Sequence, residues 1–337
     1  IRDIGVTGVQ TCALPISVSG QYTARKMETT PVAAELGHMH NPPPTHDTTA
    51  CARWWQGLPA QPSPAWIHEE IGQRMQDRLQ WIKLQPRDWI HAQPSIGGWT
   101  AHGLIAARYP QAACQVVEPS PLRMAWTQTQ LKPPFWRSWF KGQAKLQWLR
   151  ANAQAQSADM LWANMQLHLH ADPQALLRQW HQALRVDGFL MFSCLGPDAL
   201  RELHQLYQDM GWPMPGAQWT DMHDWGDMLV QTGFAEPVMD MERITLHYAN
   251  PDQLIQDLRS MGRNFNPKRH PTCRGKGWAE QLTRVLRDHW PHRSPDGQYA
   301  LTLEIVYGHA LKPKARHAVD TTTSISLDEM KGMLRPK

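Results

Sequence analysis

Little in this 337-residue chain is arranged for metal or disulfide chemistry. Its five cysteines, Cys12, Cys51, Cys114, Cys194 and Cys273, lie far apart and are odd in number. No CxxC pair and no Cys/His ligand spacing occurs, so neither a zinc site nor a disulfide framework is supported, and the expected compartment is a reducing one. Charge of one sign is also scarce. The 34 Lys and Arg stand against 30 Asp and Glu, a net +4 that is too mild to demand a nucleic-acid partner. An acidic protein partner is compatible with that charge without being implied by it. No apolar run approaches the roughly 18–20 residues of a membrane span. There are no repeats, and no recognisable catalytic triad. The expectation is a soluble cytoplasmic protein long enough to bury one large core or two small ones.

What is present is organised around residues 159–200. The short apolar run at 159–163 has the length of a buried strand, and Asn164 stands at its end. Asp172 caps a helix over 172–184 that begins with Pro173, with Ala175, Leu176, Trp180, Ala183 and Leu184 at helical spacing. Asp187-Gly188 is expected to stop it, and 188–195 reads as a second buried strand before Gly196-Pro197. Strand, helix, strand in about 35 residues makes one parallel crossover, buried on both faces. The pattern predicts the interior of a doubly wound α/β sheet.

Upstream, Ile67, Ile71, Met75, Leu79 and Ile82 form one stripe of an amphipathic helix over 66–84. Residues 114–118 read as a strand ending in Glu118, where an acidic side chain can accept both hydroxyls of a ribose. The ordinary alternative is an exposed glutamate at a strand end. Residues 133–150 interleave Trp136, Trp139, Phe140 and Trp148 with basic residues. That mixture can bind single-stranded nucleic acid or a membrane surface, but without a sustained apolar face it reads as a surface cluster packed on the sheet. Downstream, helices are expected over 198–210, 221–232, 251–261 and 278–289, and strands over 238–248 and 301–309. Residues 1–17 look like a translated adapter fragment and are left out of the fold, with Met27 as the expected start. Residues 18–63 are expected to be mostly disordered, with Trp54 and Trp55 as a loose lid only in an alternative reading. Residues 314–337 are expected to form a disordered tail, which leaves a domain over 64–313.

A strand opening on Asp159, then Asn164-x-x-Leu167-His168-x-x-x-Asp172-Pro173, a helix and an Asp-Gly turn, resembles the fourth and fifth strands of class I S-adenosylmethionine (SAM) methyltransferases. Further blocks at 193–203, 220–229, 239–245 and 304–310 agree in order. Over about 66–313 the chain resembles the malonyl-carrier-protein O-methyltransferases of biotin synthesis, the BioC family. The resemblance implies a seven-stranded Rossmann-like sheet with a helical cap after the fifth strand, within about 198–232 and 251–295. It also implies SAM as cofactor and a malonyl thioester, on acyl carrier protein or coenzyme A, as acceptor. A monomer, with neither nucleic acid nor membrane as partner, is expected.

The family's first loop carries an acid and then Gly-x-Gly-x-Gly. Here His91 holds the acidic position, Gln93 and Ser95 replace two glycines, and Gly97 remains. Side chains at 93 and 95 restrict positive φ and close approach. The implied cofactor contacts are Glu118, Gly97, His91, Gln93 and Asn164, and Asp159 is expected to be structural. Carboxylate methylation needs an ionised oxygen held in line with the methyl group and protected from water, and it needs no general base. Donors for the acceptor's carboxylate are sought in Arg201, His223, Arg243 and Tyr307, the last sharing a strand face with His309. Each has a structural alternative: Arg201 paired with Glu202 or Asp198, His223 at a helix start, Arg243 bridging strands. Three readings of function follow. They are a malonyl-thioester O-methyltransferase, a catalytically impaired binding or assembly protein, and a SAM enzyme with another, protein acceptor.

Overall fold

In a computed structural model the described residues are 3–13, 46–131, 146–149, 153–272 and 274–314. An eight-stranded sheet runs through them in the order β1-β7-β8-β6-β5-β2-β3-β4. The strands are β1 (Asp3–Ala13), β2 (Asp88–Ala92), β3 (Ala113–Val117), β4 (Leu146–Leu149), β5 (Ala158–Ala163), β6 (Leu184–Leu195), β7 (Ala235–Tyr248) and β8 (Tyr299–Leu311). Strands β2 to β6 are mutually parallel, β8 inserts antiparallel beside β6, and β7 pairs antiparallel with β8. Strands β2 to β8 alone complete the doubly wound, seven-stranded class I methyltransferase order that the resemblance implies.

Alternation along each strand sends successive side chains to opposite faces. Trp89, Met160, Trp162, Phe189 and Met191 meet α2 (Trp66–Arg78) and α4 (Thr100–Arg108) on one face. Ile90, Leu161, Leu190 and Phe192 meet α6 (Pro173–Ala183) and α8 (Met222–Thr232) on the other. Helix α2 is also fastened by charge, with Arg74 on Glu242 and Arg78 on Asp240 at 2.7 Å. Asp159 is structural as expected. It accepts from the Arg87 and Asp88 amides and pairs with Arg185 at 2.9 Å.

Four expectations change. Helix α6 stops at Ala183, so Asp187 and Gly188 lie inside β6. Asp187 takes φ +65° at a register shift in the β5–β6 ladder, and a Cβ on Gly188 would sit 2.9 Å from the Asp159 carbonyl oxygen. The glycine marks a bulge where two strands approach closely. Residues 1–17, left out of the fold, contain β1, which pairs with β7 along nearly its whole length. Within the expected 18–63 tail, α1 (Thr48–Gly57) is a capped helix. Trp54 and Trp55 dock with Cys51 against Ile96, Leu169 and Phe265, because burial of that aromatic area outweighs the cost of ordering the helix. Finally, α8 is no part of a cap, since its apolar side is covered by α6 and the sheet. The cap consists of α7 (Arg201–Asp209), α9 (Pro251–Met261) and α10 (Lys276–His289), gathered over Leu246, Tyr248, Tyr299 and Leu301. The expected disorder over 18–45 and 315–337, and most of the aromatic-basic stretch at 133–150, fall outside the described residues.

Candidate active site

From β2 the chain winds outward to β3 and β4, then returns to β5 on the other side of β2. Ligands in such sheets bind at that reversal, beyond the carboxyl ends of the strands. The turns after β2, β3 and β5 therefore define the crevice.

After β2, Gln93 takes φ +41° and ψ +60°, a left-handed conformation that costs a side-chain-bearing residue about 1 kcal/mol. Its amide donates to the Val117 carbonyl at 2.8 Å, and Pro94–Gly97 then makes a single helical turn, α3. The backbone thus keeps a glycine-like turn although glycine is gone. Gly97 is retained for packing, because a Cβ there would lie 2.8 Å from the Asn164 carbonyl oxygen. His91 is buried between Trp89 and His102, with its ring 11° from coplanar with that of His102 and the two Nδ1 atoms 3.2 Å apart. Burial, and then the neighbouring His102, hold the His91 pKa well below the usual imidazole value, while burial brings His102 down to about 4. At the position where the resembling family carries an acid, this chain has a neutral aromatic stack.

After β3 the acidic position is intact. Glu118 is fully buried, and neither carboxylate oxygen has a hydrogen-bond partner. Arg123 Nε stands 3.6 Å from Oε1, on α5 (Pro121–Gln130), and its guanidinium lies over the Trp55 ring. Burial raises the carboxyl pKa, while Ser95 and Arg123 pull it back. Two unsatisfied acceptor oxygens at this strand end fit a ribose diol, so the residues present suit SAM on that side.

After β5, Asn164 is where the resemblance puts it, but its amide is fully engaged. Nδ2 donates to the His68 carbonyl at 2.7 Å and to the Gly97 carbonyl, while Oδ1 accepts from Ser193 Oγ at 2.6 Å. Asn164 therefore ties α2 and the first loop to the sheet instead of presenting a group to a ligand. Helix α1 closes the top. The Trp55 indole donates to the Leu169 carbonyl at 3.2 Å, and Asp47 pairs at 2.8 Å with Arg269, in the connection between α9 and α10.

Beside this crevice lies a cavity of about 220 Å³ under the cap, lined by His168, Leu195, Tyr207, Trp219, Arg259 and Arg263 among others. None of the four expected substrate residues lines it. Arg201 lies 3.1 Å from Glu202, whose carboxylate also binds Thr302, and His223 is exposed at the start of α8. Arg243 bridges Asp198 at 2.7 Å and Glu304 at 3.1 Å. Tyr307 donates to Glu242 under the Arg78 guanidinium, facing with His309 a separate opening of about 720 Å³ beside the end of α2. Neighbouring carboxylates thus match Arg201 and Arg243, and His223 stands in solvent at a helix start, as in the structural alternatives. His168, Arg259 and Arg263 line the cavity and were not among the expected residues. Arg259 and Arg263 sit in a stretch, residues 258–279, with six Lys and Arg and no acid, which was the available signal.

No family model matches the chain. It is 37% identical over 264 residues to a malonyl-[acyl-carrier protein] O-methyltransferase of Gallionella capsiferriformans, covering 74% of this chain and 85% of that one. A protein of the same name from Laribacter hongkongensis is 37% identical over 266 residues, covering 74% and 84%. A third, from Legionella pneumophila, is 32% identical over 252 residues, covering 74% and 85%. With identity at this level across most of both chains, and with the seven-strand order and Glu118 in place, the chain belongs to the malonyl-[acyl-carrier protein] O-methyltransferase family.

Proposed function

We propose that this protein is a SAM-dependent O-methyltransferase that esterifies the free carboxylate of malonyl-acyl carrier protein in biotin synthesis. The observation that carries the reading is the buried Glu118 carboxylate at the chain reversal, which has Arg123 beside it and no hydrogen-bond partner on either oxygen. The unit responsible is residues 64–313 with α1 added over the crevice, acting as a cytoplasmic monomer. SAM, when bound, would supply an electrophilic methyl group, and an acceptor carboxylate already ionised at neutral pH needs no general base.

The chain's own groups then have three tasks. Glu118 accepts the ribose hydroxyls, which satisfies its two orphan oxygens. The Gly97–Asn164 contact fixes the first loop against β5, and α1 with Trp55 keeps water out. The cap holds the acceptor. Its basic stretch, including Arg259, Arg263, Lys268 and Lys276, suits an acidic carrier protein, because complementary charge steers the encounter.

The test is incubation with malonyl-acyl carrier protein and isotopically labelled SAM, followed by mass spectrometry of the carrier's arm. A labelled methyl ester on the malonyl group is expected. No ester, with SAM binding intact by calorimetry, would overturn the reading.

A further inference from the structure

His168 lies in the one-turn 3-10 segment Leu167–Leu169 that follows β5, and it is one of the residues that line the cap cavity. It is 4% exposed. Its hydrogen bonding is half complete. The Leu195 amide donates to Nδ1 at 3.4 Å, so Nδ1 carries the lone pair and a neutral ring carries its proton on Nε2. Nε2 has no partner.

Three other imidazoles surround this ring. His46 Nε2 donates to the His168 carbonyl at 2.8 Å, and His68 Nδ1 is 2.9 Å from the Ile96 carbonyl. Their protons are therefore committed elsewhere. His170 lies against Trp55 with ring centroids 5.0 Å apart and the planes tilted by 39°. Burial, reinforced by His68, His46 and His170, keeps the His168 pKa well below the ordinary value, so the ring stays neutral at physiological pH. A buried N–H without an acceptor costs on the order of 1–3 kcal/mol, which a ligand oxygen would recover.

Resting on the function proposed above, we infer that the Nε2–H of His168 holds the acceptor's malonyl carboxylate by one oxygen and leaves the other free to attack. A guanidinium would grip both oxygens in its fork and withdraw charge from the nucleophile. A neutral single donor orients the group at less cost in nucleophilicity. The cationic contribution comes from farther out. Arg259 and Arg263 line the same cavity and stand in no ion pair among the described residues, and Arg263 Nη1 is anchored to the Gly262 carbonyl at 2.7 Å. Methylation removes the carboxylate's charge, which weakens the hydrogen bond to His168 and the attraction to both arginines, so the same donor favours release of the ester.

The experiment compares His168→Leu, His168→Asn and His168→Gln with the unaltered protein. Glutamine places an N–H₂ near the Nε2 position, whereas asparagine reaches only to Nδ1. His168→Leu and His168→Asn should raise KM for malonyl-acyl carrier protein about tenfold or more, and His168→Gln should bring it back to within about threefold. Calorimetric SAM affinity should stay the same in all three. An unchanged KM in the leucine variant overturns the inference. Equal impairment of the leucine and glutamine variants, or loss of SAM binding with either, assigns His168 a purely structural part and overturns it as well. Absence of ester with the unaltered protein is the separate failure of the function itself, and the inference falls with it.

Discussion

The turns after β2 and β3 face the same crevice and have met sequence change in opposite ways. After β3 the functional atom persists: Glu118 is still a carboxylate, still at the strand end, and still without a hydrogen-bond partner. After β2 the functional atoms are gone and the backbone path persists. Gln93 is in a left-handed conformation, and the histidine at the acidic position has become part of a ring stack with Trp89 and His102. The difference teaches that a binding loop has two separable properties, the shape of its backbone and the charge it displays. Here the shape is held from outside, by Asn164 and by the Val117 carbonyl that receives the Gln93 amide. The charge has no such support, and it has been replaced by burial.

The strongest way to break this comparison is at Asn164. Replacing it by alanine strands the His68 and Gly97 carbonyls and the Ser193 hydroxyl contact at once. A loss of about 3 kcal/mol in unfolding free energy is expected by urea titration. A loss under about 1 kcal/mol would mean that the first loop supports itself. Next comes Glu118→Gln, which keeps the size of the side chain and removes the charge. Calorimetry should show SAM affinity falling by about 30-fold, equivalent to about 2 kcal/mol. An unchanged affinity would move the cofactor's main contact to the rebuilt loop and reverse the comparison. The smallest effect is expected from Gln93→Gly. Relief of the left-handed strain should stabilise the fold by up to about 1 kcal/mol and raise Tm by a few degrees, visible by differential scanning calorimetry. A fall in Tm would show that the glutamine side chain, and not the backbone alone, holds the turn.

Much of the fold was legible in the sequence because it depends on periodicity. The crossover at 159–195 and the acid at the end of β3 follow from alternation and strand length. Helix α1 was not legible, because its apolar face is short and only the docked surface of Ile96, Leu169 and Phe265 completes it. The residues expected to contact substrate lie away from the cap cavity for a related reason. Arg201 was expected at the start of a helix and Arg243 on a strand, but Glu202, Asp198 and Glu304 pair with them in space. Arg259 and Arg263 come to the cavity only because α9 folds back over the sheet. His168 sits in what reads as an ordinary turn.

The cluster under α1 has one more consequence, which concerns thiol reactivity. Cys51 on that helix is 2% exposed, and burial and then Asp47 push its pKa up to about 11. While the helix is seated the thiol is unreactive, since attack requires an accessible thiolate. Cys114 and Cys194 are free and buried in the sheet, where only global unfolding frees them. Alkylation of Cys51 under native conditions, read peptide by peptide, therefore counts how often the roof of the crevice lifts. The protein carries a chemical clock for its own opening.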